Sequence, residues 1–101
     1  VAAQLLVHEK LLFDDGAILE AKLWEVPDAV PGSAHQFKYS LFYGRNGDRL
    51  VGYDNELGKG DHRHYGSREE TYTWQGPEKL WDDFLADVRR MREGLGGSDD
   101  Q

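Results

Sequence analysis

From Leu5 to Phe13 apolar side chains fill every odd position except Glu9, and the alternation resumes at Ala17, Leu19, Ala21 and Leu23 beyond Asp14-Asp15-Gly16. A period of two marks a strand with one buried face, and an Asp-Gly pair between two such runs predicts a hairpin. Pro27 to Ser33 breaks the pattern; proline has no N–H for a ladder, so this stretch reads as a connection. A third run sets Phe37, Tyr39, Leu41 and Tyr43 against Gln36, Lys38 and Ser40, and Arg45-Asn46-Gly47-Asp48 turns it into a strand over Leu50 to Asp54. Asn55 to Ser67 reads as a loop, and Glu69 to Gln75 as a short fifth strand rich in Thr, Tyr and Trp.

The period then changes. Leu80, Trp81, Phe84, Leu85, Val88 and Met91 recur at helical spacing, Pro77 suits a first turn and Gly94 a stop. Acids lead this segment and arginines close it, as the helix dipole favours. The expected architecture is α+β: an antiparallel sheet of about five strands with one C-terminal amphipathic helix on one face, a single domain over residues 1–94 and a disordered acidic tail over 95–101. One helix shields one face of a sheet, so the other is polar or meets a partner. Trp24 and Phe42 fall on that second face. Exposed sheet edges make a homodimer a further expectation.

The chain has 101 residues and no cysteine, which excludes a disulfide frame, a zinc ribbon and a thiol nucleophile and fits a reducing compartment. No stretch approaches the roughly 20 apolar residues of a membrane span, and Val1 to Lys10 is not a signal peptide, so a cytoplasmic protein is expected. The net charge of −7 argues against indiscriminate nucleic-acid binding by the whole surface. Charge is uneven, however: residues 35–68 are +2 before His35, His62 and His64 are counted, and the remainder is −9. The split reads as a face for an anion on an acidic, soluble body, or as an ordinary mixed surface.

The candidate chemistry lies in Gly52 to Gly66, which gathers glycines, tyrosines, cations and two histidines. Gly58 and Gly60 flank Lys59 and permit positive φ, so consecutive N–H groups there can cradle a phosphate beside an ammonium; a plain flexible turn is the alternative. His62 and His64 are two apart, so an extended backbone projects both rings to one side, away from Asp61 and Arg63. Two imidazoles on a mobile, solvent-open rim can divide general base and acid work, one taking a ribose 2′-hydroxyl proton and the other protonating the leaving 5′-oxygen. Lys59, Arg63 or Arg68 would then stabilise the phosphate charge in a metal-independent RNA cleavage without a cofactor. A metal held by the His-x-His with Asp61 or Asp54 lacks further ligands at suitable spacing. Loop histidines paired with Asp61 or Glu56 are the simpler alternative. Tyr53 and Tyr65 would stack on bases or pack against the helix, and Asp54-Asn55 would initiate a turn.

Leu6-Val7-His8-Glu9-Lys10, Phe13-Asp14-Asp15-Gly16, Lys38 to Gly44 and Gly52-Tyr53-Asp54-Asn55-Glu56 leading into Gly58-Lys59-Gly60-Asp61-His62-Arg63-His64 resemble the TumE-like family of small toxin-antitoxin proteins, over about residues 5–92. The Lys-Gly-Asp-His-x-His stretch is the most specific part. The resemblance implies a toxin encoded beside an antitoxin that neutralises it by direct binding, with an action on RNA or translation. It carries over Lys59, Asp61, His62, Arg63 and His64 as motif positions. The alternative to a ribonuclease is a non-catalytic protein- or RNA-binding module that inhibits its target by occupancy.

Overall fold

Six strands pair in chain order in one antiparallel sheet: β1 (Gln4–Leu12), β2 (Ala17–Glu25), β3 (Phe37–Arg45), β4 (Asp48–Asp54), β5 (His62–Tyr65) and β6 (Arg68–Thr71). The helix α1 (Pro77–Gly97) follows and packs over β3 and β4. The computed structural model describes residues 2–56 and 58–97. Among them no helix is long and apolar enough to cross a membrane.

Turn chemistry explains the hairpins. Asn46 and Gly47 sit at φ 56° and 83°, the left-handed pair that a tight two-residue turn requires between right-twisted strands. The first hairpin closes through the Phe13 N–H on the Ala17 carbonyl at 2.9 Å and the Gly16 N–H on the Phe13 carbonyl at 3.0 Å. Alternation then gives β2, β3 and β4 a buried face: Ala17, Leu19, Ala21 and Leu23 of β2, Tyr39, Leu41 and Tyr43 of β3, and Val51 and Tyr53 of β4 meet Leu80, Phe84 and Val88 of α1. Each large apolar side chain removed from water contributes about 1.5–3 kcal/mol. The opposite face, carrying Trp24, Lys38, Ser40 and Phe42, has no second layer of secondary structure among the described residues.

Three expectations change. The stretch read as a loop from Asn55 to Ser67 contains β5, a strand without the apolar alternation that reveals one, held instead by its ladder to β4. The strand after it ends at Thr71, because Trp74 leaves the sheet and stacks on His35 with ring centroids 3.8 Å apart. The helix continues past Gly94 to Gly97, since an interior glycine costs a helix only about 1 kcal/mol. Residues 98–101 of the expected tail lie outside the described residues.

Asn55, read as part of a turn, is fully buried and extends the β3–β4 pairing with its side chain. Its Oδ1 accepts from the Tyr39 N–H at 3.0 Å, while its Nδ2 donates to the Phe37 carbonyl at 2.8 Å and to Ser33 Oγ at 3.1 Å. Each buried backbone group left without a partner costs about 1–3 kcal/mol. Asn55→Ala orphans two of them, and we expect urea denaturation to show a loss of roughly 2–5 kcal/mol, a large share of a small domain's stability. A loss below about 0.5 kcal/mol would show that water replaces the amide.

Candidate functional site

The β4–β5 ladder sorts the motif residues onto two faces. Tyr53 lies opposite Arg63 and Val51 opposite Tyr65 on the helix side, whereas Asp54 lies opposite His62 and Gly52 opposite His64 on the open side. The expected common projection of the two histidines therefore holds, but on a sheet strand. The expectation of a mobile, solvent-open rim does not: the His62 side chain is 17% exposed and that of His64 8%.

The hydrogen bonds define what each imidazole offers. His62 Nδ1 is 2.9 Å from the Gly60 carbonyl, which can only accept, so Nδ1 carries the proton and Nε2 is the free base of the neutral ring. That Nε2 lies 3.8 Å from Glu69 Oε2, which Lys59 Nζ approaches to 3.7 Å. His64 Nε2 is 2.9 Å from Asp54 Oδ2, so it donates to that carboxylate and leaves Nδ1 as the other ring nitrogen. Asp54 thereby fixes the orientation of the His64 ring. Gly52 makes room beside this pair: a Cβ there would lie 2.7 Å from Arg49 Cδ and 3.5 Å from His64 Cδ2, so the arginine stem crosses the bare backbone next to the imidazole. Among the described residues no three His, Asp or Glu side chains converge as metal ligands.

The other motif residues are elsewhere. Arg63 lies on the helix side, in an ion pair with Glu70 at 2.6 Å, and lines a cleft of about 370 Å³ with Tyr72, Asp83, Asp87 and Arg90. Arg68 lies over the Tyr65 ring at 5.1 Å on the same side. Tyr53 is buried against Phe84 and Tyr72 and donates to Asp87, which also accepts from Tyr65 at 2.6 Å. These rings pack against the helix; Tyr53 has no face left for a base. Asp61 is a corner brace, accepting from the Tyr39 hydroxyl at 2.6 Å and facing His35 Nε2 at 2.8 Å. Gly58 and Gly60, at φ 76° and 88°, bring their backbone against Gly32, where a Cβ would stand 2.5 Å from the Gly60 nitrogen. Their glycines thus serve the contact between two connections.

Sequence reading therefore finds the two histidines and Lys59 near one another, and misses Arg49 and the bond from His64 to Asp54. Once β5 is recognised as a strand beside β4, parity alone places Asp54 with the histidines. The Asp87 network had no local signal, because its tyrosines lie 34 and 22 residues away in the chain.

One family model, described as Toxin TumE, matches residues 2–92. No curated protein and no solved structure matches the chain.

Burial, reinforced by carboxylate acceptors, pushes Tyr39, Tyr53, Tyr65 and Tyr72 above the ordinary tyrosine value of 10.0. A raised native pKa stabilises the fold below the unfolded value and ceases to do so as pH rises past it, so stability falls above about pH 10. Ultraviolet titration at pH 11 should leave Tyr39, Tyr53 and Tyr72 un-ionised in the folded protein and ionise all five tyrosines in urea. Full ionisation of the native protein at that pH would contradict their burial.

Proposed function

Because this chain belongs to the TumE toxin family, we propose that it acts as the toxin of a toxin-antitoxin pair by cleaving RNA on the open face of its sheet, with His62 and His64 as the proton-transfer groups. The observation that supports this reading is the shared face of two imidazoles whose ring nitrogens have different partners. His62 Nε2 is suited to take the 2′-hydroxyl proton, and the imidazolium of His64, backed by Asp54, to protonate the leaving 5′-oxygen. The Arg49 guanidinium beside Gly52 would offset charge gathering on the phosphate. Phe42, in the same cross-strand row as Gly52 and His64, offers a ring for a base. Lys59, at the end of this face, adds a cation, while Arg63, Arg68, Asp61, Gly58, Gly60, Tyr53 and Tyr65 support the strand that carries the pair.

The low exposure of His64 favours one other reading, in which the pair only braces the sheet and the open face inhibits its target by occupancy. The two separate in one experiment. His62→Ala and His64→Ala should each lower cleavage by about 10²–10⁴-fold, the usual contribution of a general acid or base, and relieve growth inhibition with the circular dichroism spectrum unchanged. Gly52→Ala adds only a methyl group, yet it displaces the flexible Arg49 stem and should reduce cleavage while the protein still folds. Growth inhibition undiminished in folded histidine variants would remove the catalytic reading and leave occupancy.

A further inference from the structure

The two edges of the sheet are treated differently. β6 has four residues, Arg68, Glu69, Glu70 and Thr71, short and charged in the way that blunts unwanted strand pairing. β1 has nine, and Leu5, Leu6, Leu11 and Leu12 on it are large, apolar and exposed, Leu12 by 73%. Its register with β2 puts Leu5, His8, Lys10 and Leu12 on the open face and Val7, Glu9 and Leu11 on the helix face, with an irregularity between Leu5 and Val7. On the helix side, two apolar hollows of about 230 and 320 Å³ lie beside this edge and share Val7 and Trp81. An unpaired ladder flanked by apolar surface above and below is a template for one more strand.

A second copy of β1 does not suit it. Two identical antiparallel strands that keep their faces must centre on a residue opposite itself, and within Gln4–Leu12 a long ladder requires that residue to be Val7, His8 or Glu9. Centring on Glu9 sets like charges together, centring on His8 puts Glu9 against Val7 and Lys10 against Leu6, and centring on Val7 puts Glu9 against Leu5 and Lys10 against Gln4. None of the three registers matches an acid with a base, and like charges directly opposite are destabilising. A different strand can satisfy all positions: acids opposite His8 and Lys10, a cation opposite Glu9, and apolar residues towards both ends.

We propose that an extended segment of the cognate antitoxin adds to β1 as a seventh strand, holding the toxin by the edge farthest from the histidines. The proposal rests on the antitoxin partner that the toxin family implies and not on the ribonuclease reading. The test uses the full toxin chain and the antitoxin encoded beside it. Leu5→Asp/Leu12→Asp and the charge swap Glu9→Lys/Lys10→Glu, all at exposed positions, should each weaken binding at least 10-fold by titration calorimetry while growth inhibition by the toxin alone persists. Hydrogen exchange should show protection gained along residues 4–12 on binding. Unchanged affinity in both variants, protection confined to β5 and β6, or a toxin that is already a β1-paired dimer before antitoxin is added would each overturn the proposal. Loss of growth inhibition in the His62 and His64 variants, with antitoxin binding intact, would bear only on the chemistry of the other edge.

Discussion

One helix, about 10–12 Å across with its side chains, has to cover a sheet six strands wide, roughly 25 Å. It lies over the middle strands and leaves both flanks of its face half covered. The chain meets this shortage with tyrosine, a side chain large enough to fill space beside the helix and polar at its tip. All five tyrosines lie on the helix side, and each hydroxyl meets a charged group: Tyr39 with Asp61, Tyr43 with Arg92, Tyr53 and Tyr65 with Asp87, and Tyr72 with Asp83. A buried carboxylate such as Asp87 is tolerable because two hydroxyls and the Arg90 guanidinium satisfy it.

The same demand divides the motif. Because successive side chains of a strand alternate, β5 sends His62 and His64 one way and Arg63 and Tyr65 the other. A run of six residues that looks like one constellation in the sequence becomes three: a histidine pair with Asp54 on the open face, an arginine among tyrosines under the helix, and Asp61 at a corner with His35 and Tyr39. Adjacency along a strand is thus a poor guide to adjacency in space, and parity a good one.

What was legible in the chain follows from this. The two hairpins and the helix announce themselves, since Asp15-Gly16, Asn46-Gly47 and the stripe from Leu80 to Met91 carry local signals of turn and period. β5 does not, because His-Arg-His-Tyr has no apolar alternation and owes its extended form to the neighbouring strand. The orientation of the imidazoles was legible from their spacing of two. Their confinement was not: it depends on Gly60, Asp54 and Glu69, whose positions are set by a ladder and by a loop wedged against Gly32.

The strand order, each neighbour in sequence also a neighbour in space, has a temporal consequence. A meander needs no distant partner, so the sheet can assemble hairpin by hairpin as the chain emerges during synthesis. The helix that seals the tyrosine face follows all six strands, and Asp83, Asp87 and Arg92 arrive with it. Until translation reaches that segment, the tyrosine face of the nascent sheet lacks both its cover and the carboxylates of Asp83 and Asp87 that its hydroxyls meet, so the fold is sealed only by its last element.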